Sequence, residues 1–266
     1  MAPSEQLMSD WRPLEGRLAG WSCGEGPRLV FVHGFTQTSN SWKSIAGLFA
    51  ADGYESVVVD APGHGASANV RADLRRGADM LAALCGAGVY IGYSLGGRLC
   101  LHAALMYPHL VRGLAVIGSS PGIADETERA TRRAADNRLA DHIMDVGVEA
   151  FVDEWLAQPL FADLTLDEEG RADRLRNTVD GLASSLRHAG TGAQGSLWPR
   201  LREINMPVLT IAGELDAKFA AIGRQIAASV PQGQSVEIPG AGHAAHLQQP
   251  QLVMQTVVDW LDDIKY

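Results

Sequence analysis

The sequence predicts an α/β fold, a mostly parallel, doubly wound sheet with one helical insertion, and three observations carry that prediction. Short runs rich in Val and Ile recur at residues 29–33, 56–60, 89–93, 114–118, 208–213 and 235–239. Amphipathic, helix-period stretches lie between them at 42–51, 72–84, 95–107, 219–229 and 252–264. Strands alternating with helices in this way build a parallel sheet covered on both faces. The rhythm then stops: from about 120 to 198 there is no strand-like run, and Arg, Asp, Glu and Ala recur at helical spacing.

Taken in order, the stretch 11–23 is expected to supply one or two antiparallel edge strands. The run 29–33 (Leu-Val-Phe-Val-His) is continuously apolar up to its last residue, the pattern of a strand buried on both faces rather than one half exposed to water. The same reasoning applies to the five later runs. The segment 120–198 is too long for a structureless loop within a compact domain. It is expected to fold as a helical lid over the carboxyl edge of the sheet, where ligands of open α/β sheets bind. The division that follows is a core of 1–119 and 199–266 with a lid of 120–198. There is no internal repeat and no low-complexity tract.

Composition narrows the function classes. The 266 residues include 22 Lys and Arg against 31 Asp and Glu, a formal net charge of −9. A nucleic-acid binder needs a basic face to displace counterions, so that class is disfavoured. Hydrophobic residues make up 46% and charged residues 20%, ordinary for a globular chain that builds its own core. Cys23, Cys85 and Cys100 form neither an even disulfide framework nor a Cys-x-x-Cys pair, which suits a reducing compartment. No apolar run approaches a membrane span and no signal-like segment opens the chain. The expectation is a cytoplasmic protein with no membrane and no nucleic-acid partner, a monomer or weak homo-oligomer.

The chemistry begins at Gly92-Tyr93-Ser94-Leu95-Gly96, placed where a strand run ends and a helix pattern begins. A serine on so sharp a strand-to-helix turn tolerates only small neighbours two residues away on each side, and its hydroxyl stands clear of the sheet. Serine needs a histidine to take its proton and a carboxylate to orient that histidine. Asp216 follows the run 208–213 and His243 follows the run 235–239, which is the chain order this arrangement requires. Glu214 and His246 are the rival candidates. After the run 29–33, the residue following His33-Gly34 is Phe35. Its amide N–H and that of Leu95 would form an oxyanion hole. His33 and His64 read as turn residues. His243 and His246 lack the Glu and third ligand of a zinc site, and no phosphate loop or dinucleotide fingerprint is present, so no metal and no cofactor are expected. These residues together describe an α/β-hydrolase fold with a lid.

Arginines suggest what the lid receives. Arg98 stands one turn along the elbow helix from Ser94 and projects near the same face. Residues 128–133 and 174–177 add further arginines to an acidic chain. Arginine forks bind carboxylates bidentately, so several in one pocket favour a polyanion. The competing reading is that lid arginines at helical spacing pair with neighbouring Asp and Glu.

The motifs as a set resemble the 2-succinyl-6-hydroxy-2,4-cyclohexadiene-1-carboxylate synthases of menaquinone biosynthesis, over essentially the whole chain. They are His33-Gly34-Phe35, Asp60-x-Pro-Gly-His-Gly-x-Ser67, Gly92-Tyr-Ser-Leu-Gly-Gly-Arg98, and Pro121-Gly122 with Glu128-Arg129-x-x-Arg132. Trp155-x-x-Gln158-Pro159-Leu160-Phe161, Gly213-Glu214-x-Asp216-x-Lys218-Phe219 and Gly242-His243-x-x-His246 complete them. The first two are widespread in the superfamily and the others more specific. The resemblance implies a lyase acting without a cofactor on a small polycarboxylate. Ser94, Asp216 and His243 would form the base, Phe35 and Leu95 the oxyanion hole, and Tyr93, Arg98, Arg132, Trp155 and Arg176 the substrate grip. The match around 171–177 is loose, so Arg174 is an alternative to Arg176, and Arg129 or Arg133 to Arg132. A serine hydrolase acting on an ester or carbon–carbon bond, or a catalytically silent receptor on the same fold, are the other readings.

Overall fold

The structure, a computed structural model, describes residues 10–165 and 167–266. Eight strands form one sheet in the order β1-β2-β4-β3-β5-β6-β7-β8. They are β1 (Arg12–Leu14), β2 (Gly20–Cys23), β3 (Arg28–Val32), β4 (Glu55–Val59), β5 (Gly88–Tyr93), β6 (Val111–Ile117), β7 (Val208–Gly213) and β8 (Gly233–Ile238). The first two pair antiparallel, and β2 also runs antiparallel to β4. From β4 through β8 all pairing is parallel. The six apolar runs thus lie on the six parallel strands, with ends displaced by a few residues.

Side chains alternate across β3. Leu29 and Phe31 enter one core with Trp42, Phe49, Ile91 and Trp260, while Val30 and Val32 enter the other with Tyr90, Leu99, Leu114 and Ile226. Burial on both faces explains why the strand reads as an unbroken apolar run rather than as an alternation. The helices α1 (Asn40–Ala51) and α9 (Pro250–Asp263) cover the first face, and α2 (Leu74–Cys85), α3 (Leu95–Met106) and α7 (Ala217–Ser229) cover the second. A short helix, α8 (Ala245–Gln248), precedes α9.

From β3 the chain moves outward to β4 and then returns to place β5 on the other side of β3. The direction of winding therefore reverses between β3 and β5, and the loops leaving those two strands part there to open a crevice. Between β6 and β7 the described residues hold helices and no strand: α4 (Glu126–Leu156), α5 (Glu168–Arg174) and α6 (Val179–Ala189). Asp125, Asp167 and Thr178 cap their N-termini through side-chain oxygens. α4 is interrupted at Gly147, whose φ of 83° and ψ of 172° are non-helical. Ala140, Ile143 and Phe151 of α4 pack on Leu182, Ala183 and Leu186 of α6 in a small core of their own, and Phe35 and Trp155 rest against it.

Candidate active site

Ser94 caps α3 with φ 49° and ψ −105°, a backbone conformation that side-chain-bearing residues rarely adopt. The turn is held by contacts that exclude any Cβ beside it. A Cβ on Gly96 would stand 2.1 Å from the Val32 carbonyl oxygen, and one on Gly92 would stand 2.5 Å from the Gly96 carbonyl. The two glycines of the motif are therefore steric requirements of the elbow.

The three expected triad residues meet. The Ser94 hydroxyl lies 3.4 Å from His243 Nε2, and His243 Nδ1–H donates to Asp216 Oδ2 at 2.7 Å. Asp216 is fixed in turn, because its Oδ1 accepts the Phe219 N–H at 3.2 Å as the N-cap of α7. His243 and Asp216 are buried. Gly118, with φ 54°, directly follows β6, and a Cβ there would come within 3.0 Å of His243 Cε1. The rivals stand elsewhere. Glu214 is exposed and accepts the Gly240 N–H. His246 is fully buried, stacked on Trp42 at 4.5 Å and tilted against Tyr93 at 4.3 Å. Burial, aided by Arg174 and His243, lowers the His246 pKa to about 3, so it is neutral packing.

Among the described residues the Phe35 and Leu95 N–H groups have no protein acceptor. Leu95 opens α3, where the first amides of a helix point out unpaired. Phe35 follows the sharp turn after β3, held by the Gly34 N–H to Gln37 Oε1 bond and by Thr36 at φ 69°. His33 takes the turn role expected of it, accepting the Ala61 N–H on Nε2 while Nδ1–H donates to the Gly34 carbonyl. His64 is buried beside the Phe35 ring, and desolvation pushes its pKa down to about 3.

These groups open on a cavity of about 590 Å³. Its apolar wall is Trp155, Phe161, Leu186 and Ile222, with Trp155 edge-on to Phe35 at 5.1 Å. Tyr93, Arg98 and Arg132 also line it, as expected. Arg132 donates through Nε to Asp136 at 2.7 Å, the neighbour pairing that lid arginines usually adopt. Arg98 is different. It is buried, donates to the Ala189 carbonyl at 2.6 Å, and has no carboxylate at ion-pair distance among the described residues. Burial and the nearby Arg132 lower its pKa to about 10, so it stays charged at neutral pH.

One expected residue is misplaced. Arg176 is exposed and does not line the cavity; Arg174 does, only 2% exposed, with Nη1 donating to the Thr36 hydroxyl. The reason lies around α5. Asp173 accepts the Thr38 N–H at 3.1 Å, and Asn177 donates to the Thr36 carbonyl at 2.6 Å while accepting the Gly65 N–H. Those bonds set the rotation of the segment and turn Arg174 inward. Arg129 is tied to Ile123 and Glu126, and neither it nor Arg133 lines the cavity. Lys218, part of the Gly-Glu-x-Asp-x-Lys-Phe motif but assigned no role from sequence, adds a cation at the cavity wall.

The chain matches the family model described as "Alpha/beta hydrolase family" over residues 29–256. It is 32% identical over 245 residues to the 2-succinyl-6-hydroxy-2,4-cyclohexadiene-1-carboxylate synthase of Salmonella paratyphi C, with 88% of this chain and 94% of that protein covered. A Bacillus subtilis protein provisionally given that name is 36% identical over 258 residues, covering 90% and 93%. The solved structure of MenH from S. aureus superposes with a TM-score of 0.82 at 30% identity, covering 97% of this chain and 100% of the other. With the Ser94 elbow and the arginine-lined cavity in place, the chain belongs to the α/β-hydrolase family and, within it, to the 2-succinyl-6-hydroxy-2,4-cyclohexadiene-1-carboxylate synthases.

Proposed function

We propose that this chain is a lyase that eliminates pyruvate from 2-succinyl-5-enolpyruvyl-6-hydroxy-3-cyclohexene-1-carboxylate to give 2-succinyl-6-hydroxy-2,4-cyclohexadiene-1-carboxylate. The double bonds of the two compounds dictate the electron path. A proton leaves C2, next to the succinyl ketone; C2=C3 forms, C3=C4 shifts to C4=C5, and the C5–O bond breaks. Enolpyruvate departs, takes up a proton and tautomerises to pyruvate. No electrons are gained or lost overall.

Each requirement of that path has a candidate in the cavity. Ser94, relayed to His243 and Asp216, takes the C2 proton. Negative charge then builds on the ketone oxygen, and the Phe35 and Leu95 amides are placed to receive it. Preorganised donors of this kind act most strongly where charge develops in the transition state. Arg98, Arg174 and Arg132 bind the substrate's carboxylates, while Tyr93 and Trp155 bound the ring. The segment 120–198 serves as the lid, excluding water so that these charges are felt at short range.

The observation that carries this reading is the pair Arg98 and Arg174, buried in the wall of the cavity that Ser94 lines, with no carboxylate at ion-pair distance among the described residues. Burying a cation is costly unless it meets an anion, so the cavity is built for a polyanion. The test is release of pyruvate from the enolpyruvyl precursor, followed with lactate dehydrogenase and NADH, beside hydrolysis of short acyl p-nitrophenyl esters. Rapid pyruvate release with negligible ester turnover supports the lyase. The reverse pattern would replace it with a serine hydrolase using the same triad.

A further inference from the structure

We propose that Asn177, in the insertion, is a positioning residue that keeps the Phe35 amide in its donating orientation, acting through the peptide units between residues 34 and 37. This rests on reading the Phe35 and Leu95 amides as an oxyanion hole, and it holds whether the anion they receive belongs to a lyase or to a serine hydrolase.

The Phe35 N–H shares its planar, trans peptide unit with the Gly34 carbonyl, and the two point in opposite directions. Whatever fixes the carbonyl therefore fixes the amide. Gly34 has no Cβ, so its own backbone offers little resistance to rotation of that unit. The carbonyl is held from outside, by His33 Nδ1–H at 2.8 Å and by the Gln37 N–H at 3.2 Å. The Gln37 side chain closes the turn, its Oε1 accepting the Gly34 N–H at 2.9 Å.

The insertion enters at the peptide unit between Thr36 and Gln37. Its N–H is the Gln37 donor to Gly34, and its carbonyl, on Thr36, accepts Asn177 Nδ2–H at 2.6 Å. One peptide thus meets the insertion with its oxygen and the oxyanion-hole peptide with its hydrogen. Thr36 has to be held, because its φ of 69° is left-handed and a β-branched residue rarely adopts it. Thr36, Gln37 and Asn177 are all buried, so water does not readily replace a bond lost there.

Asn177 is itself anchored. Its Nδ2 also donates to the Arg174 carbonyl at 3.0 Å, and its Oδ1 accepts the Gly65 N–H at 3.0 Å from the loop after β4. One side-chain amide, using both donors and its acceptor, therefore joins the end of α5 to the turns that follow β3 and β4. Asn177 does not line the cavity, so its influence on the reaction runs through Thr36 and Gln37.

The chain holds one Gly-Phe pair, residues 34 and 35, so labelling with carbonyl-¹³C glycine and ¹⁵N phenylalanine gives a single HNCO signal from that peptide. In Asn177→Ala this signal is expected to move, with kcat for pyruvate release down about tenfold to a hundredfold and KM within about twofold. Arg176→Ala, at the exposed neighbouring position, should leave all three unchanged. If Asn177→Ala does not fold, Asn177→Asp, which keeps the acceptor for the Gly65 N–H, takes its place. An unmoved signal, an equal movement in Arg176→Ala, or an unchanged kcat overturns the proposal. So does a loss carried by KM, which would mean that Asn177 serves only to place Arg174. Should the unaltered chain release no pyruvate, the lyase reading falls and the same comparison is made on p-nitrophenyl acetate, whose tetrahedral intermediate charges the same amides. With neither activity, the signal alone decides.

Discussion

The Arg98 guanidinium, rooted in the elbow helix of the core, donates at 2.6 Å to the Ala189 carbonyl at the C-terminus of α6 in the insertion. The last carbonyls of a helix are unpaired and carry partial negative charge, so a cation is well placed there. The contact also ties the insertion to the residue one turn beyond Ser94. One side chain thus lines the cavity and holds the insertion to the core, and the predictions below follow from that arrangement and from the proposed function.

Ser94→Ala is expected to lower kcat for pyruvate release by about 10³-fold or more with the fold intact. It removes the hydroxyl that lies 3.4 Å from His243 and nothing that packs the core. Steady-state kinetics with circular dichroism as the folding control checks it. A loss under tenfold would remove Ser94 from the proton transfer.

Arg174→Ala and Arg176→Ala should separate sharply. The first deletes a buried cation of the cavity, and truncating one partner of a desolvated charge pair costs about 2–5 kcal/mol, or roughly 30- to several-thousand-fold in kcat/KM. The second alters an exposed side chain, and kcat/KM should stay within about twofold. Equal effects would contradict the orientation of α5.

Gly96→Ala and Gly118→Ala should fail differently. At Gly96 the new methyl would collide with the Val32 backbone at 2.1 Å, so a loss of about 3 kcal/mol or more in denaturant-measured stability is expected. At Gly118 the obstruction is the His243 ring at 3.0 Å, together with a left-handed φ. There, activity should fall further than stability.

Acid should destabilise the fold through its neutral histidines. His64 and His246 have native pKa values lowered to about 3, against 6.5 in the unfolded chain. Between those values only the unfolded state binds the proton, so stability rises with pH across the window and is flat above about 6.5 as far as these groups are concerned. Each contributes about 1.4 kcal/mol per pH unit inside it. His246→Phe, which keeps a ring between Trp42 and Tyr93, should reduce that slope by about one histidine's share. Chemical denaturation at pH 4, 5, 6 and 7 measures it, and an unchanged slope would count against a neutral His246.

The parallel strands β3 to β7 were legible because burial on both faces leaves continuous Val- and Ile-rich runs; β8, expected to be buried likewise, is the sheet's edge and mostly exposed, which is why Glu237 interrupts its run. The triad was legible because the elbow demands glycine on both sides of Ser94, and the chain order then points to Asp216 and His243. His246, three residues from His243, was harder to place, since a histidine used as packing has the same letter as one used as a base. Only its position between Trp42 and Tyr93 distinguishes them. Asn177 carried no sequence signal for a positioning role, because the carbonyl its amide meets lies 141 positions away.

The amino-acid order alone therefore determined the fold class and the serine elbow with its histidine and carboxylate partners, which depend on local sterics and on the alternation of strand and helix. Tertiary structure decided which arginines of the insertion face the cavity. α5 is only seven residues long, too short for its periodicity to define a buried face. Its rotation is set by bonds from Asp173 and Asn177 to residues 36, 38 and 65, more than 100 positions away. That is why Arg174 turns in and Arg176 turns out.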